Sequence, residues 1–391
     1  MKPPADTTLR IAAVDFRAVH VNARTNWSFV RVRSDAGIVG VGEASLNGYE
    51  PLLAAYLDLL RPRLVGAVAD DALPALATFA HAPAGLVANA IRSAVRQALV
   101  DLRARAAGVP AWQLLGGKRR DRVAVYANVN RATRDRSPAG CAASAVAAVA
   151  SGYRAVKIAP FDGVLPEALA QAPTRRAIDA GVDRVRAMRD AVGPDVHLMV
   201  DCHWRFDEAT ALAVLDRLAP IGIRWFECPV SEQPHAHAAL GRLRDAAQAR
   251  GIALAACELQ AGVDAFRPFV APRRVDVVMP DVKYCGGPLA LLAIARLAHA
   301  HGVACSPHNP TGPVCTMASV HACLAAEDVA TLELQLGESP LARELVRGVE
   351  PAVAGYAYAG AAPGWGVDLD DAVMDAHPYQ PVPPGLDEQL G

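Results

Sequence analysis

Three acidic residues end successive apolar runs: Asp201 in LMVDCHWR, Glu227 in RWFECPV and Glu258 in LAACELQ. A histidine, His308 in VACSPHNPTGP, ends a later run of the same kind. One carboxylate after a strand is most often a helix cap or half of a loop ion pair. Three in successive units point to a shared task. The gaps between them leave room for strand–helix units, so these residues would rise from different strands of a repeating α/β architecture. In a (β/α)8 barrel the C-terminal strand ends converge on one site. Three carboxylates converging there make a hard, oxygen-only cation site, which suits Mg²⁺ and argues against zinc. An imidazole beside it makes proton chemistry next to a metal the leading reading.

Further residues extend this set. Asp281 ends the preceding strand in VVMPDVKYCGG and could hold the His308 imidazole as a His–Asp dyad. His203 lies two residues past Asp201, and the strand period of two puts it on the same side. A solvated loop histidine is an equal alternative there. Lys157, in AVKIAP, is one of only four lysines, with Lys2, Lys118 and Lys283. A surface lysine would snorkel, but strands of a parallel barrel are buried on both faces. Such a set suits removal of the very weakly acidic proton alpha to a carboxylate, with Mg²⁺ stabilising the ene-diolate. With His308 as base and His203 as acid, water leaves a hydroxy acid. If the second group returns the proton to carbon, the outcome is racemisation or epimerisation.

The elements that must position these residues are legible in the patterning. Phe29–Arg33 alternates, a turn at Asp35–Gly37 follows, and a second run starts at Ile38, which reads as a hairpin. Within residues 88–108, Ile91, Ala94, Val95, Ala98, Leu99 and Leu102 mark one helix face, ended by GVPAWQLLGGK. Residues 1–122 therefore read as a small α+β domain. Strand candidates follow at 123–129, 155–160, 196–201, 224–229, 252–258, 275–281, 303–308 and 330–335, most of them separated by amphipathic helical stretches. That is an α/β pattern, read as a barrel over 123–350. A doubly wound open sheet is the runner-up, disfavoured because no GxGxxG follows an early strand. The Gly-, Pro- and Ala-rich tail, 351–391, carries no strand–helix unit and is expected to pack back on the first domain.

At 391 residues and 52% hydrophobic content, the chain can build a large barrel and a smaller domain. A formal charge of −1 without charge blocks gives no footprint for nucleic acid and no polybasic membrane patch. The start, MKPPADTTLR, has no apolar signal core, and no run of about eighteen apolar residues would span a bilayer. None of the eight cysteines forms a CxxC pair. A reducing, cytoplasmic setting without disulfides is expected.

The motifs DCHWR, FECPV, PDVKYCGG and PHNPTGP, followed by LELQ, resemble the enolase superfamily in its mandelate racemase subgroup, and DCHWR resembles the pattern of acid-sugar dehydratases such as galactonate dehydratase. The resemblance covers essentially the whole chain. It implies a modified TIM-type (β/α)8 barrel with an N-terminal α+β capping domain, and the GWGVDLDD segment resembles the family's C-terminal return. It makes Asp201, Glu227 and Glu258 the Mg²⁺ ligands, Asp281 and His308 the base dyad, and His203 the acid that assists loss of the hydroxyl. Glu333, in LELQ, matches an acidic position that contacts substrate or intermediate. Two capping loops, near 17–26 and 45–50, would close over the barrel mouth, offering Arg24, Asn26, Asn47 and Tyr49 as substrate contacts. Arg205, which closes DCHWR, joins them. The partners implied are a small sugar acid and further copies of the chain, often as an octamer, with no nucleic acid and no membrane.

Two departures bear on the chemistry. Racemase members carry a KxK pair on the second barrel strand, whose second lysine is the opposite-face base. Here Lys157 matches the first lysine and Ala159 stands in place of the second, which argues against racemisation and leaves Lys157 to meet the substrate carboxylate. Around Glu258 the usual GE dipeptide is CE. The muconate-lactonising and dipeptide-epimerising subgroups place a lysine where this chain has Asp281. The resemblance thus implies a dehydratase, with a racemase or epimerase as second reading. A barrel recruited only for binding is a third, opposed by the intact acid–base set.

Overall fold

The computed structural model describes residues 9–70, 72, 85–348 and 352–384. Alternating side chains build β1 (Ile11–Asn22), β2 (Thr25–Ser34) and β3 (Val39–Glu43), an antiparallel meander in that order. Helices α1 (Glu50–Leu64) and α2 (Leu86–Ala106) cover it. The α2 stripe of Ile91, Ala94, Val95, Ala98, Leu99 and Leu102 is fully buried, as its spacing predicts. Two glycines of β3 set how closely this helix packs. A Cβ on Gly40 would stand 2.1 Å from the Ala98 carbonyl oxygen, and one on Gly42 1.9 Å from that of Ala94. Only glycine admits that approach. A short helix, α3 (Ala111–Leu114), leads out of this capping domain.

The barrel begins with β4 (Val123–Asn128), α4 (Pro138–Ala150), β5 (Ala155–Ile158) and α5 (Ala172–Val192). It continues through β6 (His197–Asp201), α6 (Glu208–Leu218), β7 (Trp225–Glu227), α7 (His237–Gln248), β8 (Ala253–Ala256) and α8 (Val263–Val270). It ends with β9 (Val277–Val278), α9 (Pro288–Ala300), β10 (Ala304–Cys305), α10 (Pro313–Ala325) and β11 (Leu332–Gln335). Each strand from β4 to β10 pairs in parallel with the next, and β11 pairs with β4. The ring closes between β10 and β11 with few bonds: Ala330 N–H to Cys305 O at 2.8 Å, Glu333 N–H to Pro307 O at 3.2 Å and the Ser306 hydroxyl to Thr331 O at 2.9 Å. The strand regions expected from the sequence are thus the barrel strands, although β9 and β10 form only two-residue ladders. Helix starts follow local chemistry. Ser137 and Asp207 cap α4 and α6 through their side chains, and prolines occupy the first turns of α9 and α10. Inside the barrel, Tyr126, Met199, Trp225, Ala255, Val277 and Met279 form a packed layer beneath the mouth.

The tail differs in one respect from its expected form: it contains regular elements. They are β13 (Ala352–Val353), β14 (Tyr356–Ala357), β15 (Val367–Leu369) and α12 (Asp371–Ala376), preceded by α11 (Leu341–Leu345) and β12 (Val346–Gly348) within the span read as barrel. The β13–β14 hairpin adds antiparallel to the start of β4, and β12 pairs with β15. Short two- and three-residue ladders leave too little alternation to be read from sequence. The tail contacts the capping domain. Trp365 donates from its backbone N–H to Asp101 (2.7 Å) and from its indole to Val41 O (3.0 Å), while Asp371 and Asp375 pair with Arg31 and Arg17. The boundary expected between 350 and 351 falls outside the described residues. All eight cysteines are free and buried. Among the described residues, no helix is long and apolar enough to cross a membrane.

Candidate active site

Asp201 and Glu227 are the last residues of β6 and β7 and are paired in register. Glu258 follows β8 by two residues. All three are buried, and one carboxylate oxygen from each lies within 4.8 Å of the others. Their surroundings differ. Glu227 accepts from the Lys157 ammonium (2.5 Å) and from the Trp225 indole (3.0 Å). Asp201 accepts from the His203 backbone (3.1 Å) and meets His203 Nε2 at 2.9 Å. Among the described residues Glu258 has no such donor: its Oε1 is buried with no partner, and its Oε2 meets only Cys228 Sγ at 3.9 Å and His308 Nε2 at 3.5 Å. A buried carboxylate oxygen left unpaired, in an all-oxygen set of this size, fits a divalent cation.

The charges are strongly perturbed. Burial, then Asp201 and Glu227, push Glu258 well above the usual glutamate value. Burial would raise Asp201, but His203 and Lys157 more than offset it and hold it low. Burial would depress Lys157, yet Glu227, Glu333, Tyr126 and Asp201 together hold it well above the ordinary lysine value. Lys157 bridges Glu227 and Glu333 (3.0 Å) and stands 3.8 Å from Asp201. It is fully buried and positively charged at neutral pH, not a free amine.

His308 and Asp281 follow β10 and β9. Their side chains meet at 2.9 Å, Nδ1 to Oδ2, and both are buried. Burial would raise Asp281, but Lys283 and the His308 hydrogen bond bring it below the usual aspartate value. With Nδ1 turned to Asp281, Nε2 faces the carboxylates, 3.5 Å from Glu258 and 4.0 Å from Glu333. Glu333, on β11, accepts from Asn128 (2.6 Å) and the Asn309 backbone (3.2 Å). His203 follows β6 and is partly exposed, with φ at +48°. β6 and β10 are four strands apart in a ring of eight, so the two histidines rise from opposite walls.

The other sequence-expected contacts are placed differently. Asn26 is fully buried: its amide donates to Glu50 (3.0 Å) and to Gln380 O (2.8 Å), and its Oδ1 faces His20. The Asn47 side-chain oxygen accepts the Asn26 backbone N–H. The Asn26 side chain is thus occupied by Glu50, His20 and the Gln380 carbonyl, and the Asn47 oxygen by the Asn26 backbone, contacts that differ from the expected ones with a sugar. Tyr49 is half-buried against the capping-domain core. Arg24 lies exposed in the β1–β2 turn, and Arg205 donates to Val164 O (2.8 Å), bracing the loop after β5. The hairpin tip does reach the barrel mouth: Thr25 donates to Glu338, which also pairs with Arg131. Ala159 is buried, and its backbone N–H is held by Asn130.

Sequence reasoning missed several neighbours. Asn128, which holds Glu333, ends the apolar run VAVYAN and had the same signal as Asp201. Trp225 lies within an apolar run and reveals nothing of its bond to Glu227. Lys283, buried 3.6 Å from Asp281, carries no signal in the sequence beyond the scarcity of lysine.

Residues 7–116 match the mandelate racemase/muconate lactonizing enzyme N-terminal domain, and residues 140–373 match the enolase C-terminal domain-like family. The chain is 30% identical to D-xylonate dehydratase of Haloferax volcanii over 93% of its length and 88% of the relative's. It is 32% identical to D-galactonate dehydratase of Verminephrobacter eiseniae over 75% of its length and 74% of the relative's. A Burkholderia xenovorans strain LB400 protein solved with magnesium and fumarate bound superposes with a TM-score of 0.87 at 26% identity, covering 98% of each chain.

Proposed function

Because the chain belongs to the mandelate racemase/muconate lactonizing enzyme family of the enolase superfamily, we propose that it is a Mg²⁺-dependent acid-sugar dehydratase. The observation that carries this reading is the division of the mouth: a base dyad on one wall, an acid on the opposite wall, and buried carboxylates between them. Asp201, Glu227 and Glu258 would hold the cation, and a cation there supplies the charge that stabilises an ene-diolate. His308 Nε2 takes the proton alpha to the substrate carboxylate, while Asp281 fixes the tautomer through Nδ1 and stabilises the imidazolium. His203 gives a proton to the beta hydroxyl as its C–O bond breaks, so water leaves. The enol that remains tautomerises to a 2-keto-3-deoxy acid. Lys157 is neutralised by Glu227 and Glu333 and holds its proton, which unsuits it as a second base. Ala159 supplies none.

The dehydratase names of the relatives at about 30% identity support the same class. The test is a screen of aldonic and aldaric acids for 2-keto acid formation, with and without EDTA. Metal-dependent product from one of these acids is the expected result. Interconversion of two epimeric acids without 2-keto acid would replace this reading with the racemase one.

A further inference from the structure

Glu258 is the ligand candidate with least to aim it, since among the described residues no nitrogen or hydroxyl donor other than the base His308 approaches its carboxylate. Its direction therefore depends on the backbone at Cys257, where φ is +81°. That is the left-handed region, which is strained for a residue bearing a Cβ. The neighbouring turns are of the same kind: Cys228 has φ +43° and Trp204 φ +56°. One side chain ties all three together. Glu232, buried in the loop between β7 and α7, accepts the Cys257 backbone N–H (3.0 Å) and the Trp204 indole N–H (3.1 Å) on Oε1. Its Oε2 accepts from Gln260 (3.0 Å), and Cys228 Sγ lies 3.5 Å from Oε1. The loops it joins follow β6, β7 and β8, the strands that carry Asp201, Glu227 and Glu258.

We infer that Glu232 is a positioning residue for the cation site, holding the left-handed Cys257 turn that aims Glu258. This rests on the proposed reading of the three carboxylates as cation ligands. Glu232 touches neither cation nor substrate in this role. Its effect is to keep populated a backbone conformation that a glycine at 257 would adopt without help.

The test is Mg²⁺ titration of EDTA-stripped protein by calorimetry, with circular dichroism to check the fold. Glu232→Ala should weaken Mg²⁺ binding roughly 10- to 100-fold, as loss of such an outer partner does at other metal sites. Glu232→Gln keeps an acceptor oxygen for the same two N–H groups and should stay within about threefold of wild type. Adding Cys257→Gly to Glu232→Ala should recover most of the loss, an outcome that a purely structural role does not produce. If Glu232→Ala does not fold, Cys257→Val decides: a branched Cβ at this φ should weaken binding several-fold with Glu232 intact. Wild-type affinity in Glu232→Ala or Cys257→Val, or a loss that Cys257→Gly leaves unchanged, overturns the inference. A wild-type protein that binds no Mg²⁺ overturns the cation reading itself, and this inference with it.

Discussion

Lys157 brings a full positive charge to a barrel strand that is buried on both faces. Its three carboxylate neighbours explain why the charge is tolerated there. The pairing has a cost on removal. Lys157→Met should lower unfolding free energy by about 3–5 kcal/mol in metal-free protein, because it strands Glu227 and Glu333 without their counter-charge. Denaturant titration with EDTA present measures this, and an unchanged midpoint would refute the pairing's importance. At this scale the sequence was most informative where a polar residue ended an apolar run. Asp201, Glu227, Glu258, Asp281 and His308 all have that signature, and all come together. Asn26 and Asn47 lacked it. A polar loop residue finds its partner through tertiary packing, and theirs turned out to be Glu50, Gln380 and each other.

The elements are coupled across the two domains by one carboxylate. Glu43, at the end of β3, accepts from the Thr311 hydroxyl (2.9 Å) and from the backbone N–H groups of Gly312 (2.8 Å), Val314 (3.0 Å) and Cys315 (2.9 Å). These are the orphan donors at the start of α10, where Pro313 has no N–H to offer. The capping domain therefore supplies the N-terminal cap of a barrel helix, with the sign of charge that the helix dipole favours. Gly312 makes room for it: a Cβ there would stand 2.5 Å from Glu43 Oε1. The loop so anchored is PHNPTGP, which carries His308. Glu43→Ala should expose these amides, destabilising the helix start by roughly 2–3 kcal/mol. Hydrogen exchange would then be faster by about 30- to 150-fold at Gly312, Val314 and Cys315, that energy converted to a rate ratio. Unaltered protection would contradict the coupling. In the sequence, Glu43 was only one residue of a hairpin run. Neither periodicity nor spacing links β3 to a helix so far along the chain.

The whole molecule is held at a seam between capping domain, barrel and tail. His321, on α10, accepts the Trp112 backbone N–H (3.0 Å) on Nδ1 and faces Trp365 O (3.1 Å) through Nε2, so it is neutral when folded. Burial is the main cause that lowers its pKa to about 4, and Lys118 adds to it, against the Trp365 hydrogen bond. A histidine depressed in this way is stabilising above its unfolded pKa of about 6.5, and that contribution is lost as pH falls toward 4. The loss amounts to about 3 kcal/mol at most. Unfolding measured from pH 7 to 4 should show a shallower pH slope in His321→Gln than in wild type, and parallel slopes would contradict it. The barrel order was legible at this scale because each strand–helix unit repeats. The tail's two- and three-residue strands were not, since they exist only through their partners. The ring of eight also places His203 and His308 on opposite walls. With Mg²⁺ and the acid found by the screen, in D2O, proton NMR of the alpha carbon reads the two roles separately. His308→Asn should stop both alpha-deuterium exchange and water loss. His203→Asn should keep exchange while water loss falls by about 100-fold or more. Exchange persisting in His308→Asn, or exchange and water loss falling together in His203→Asn, would contradict the division into a base wall and an acid wall.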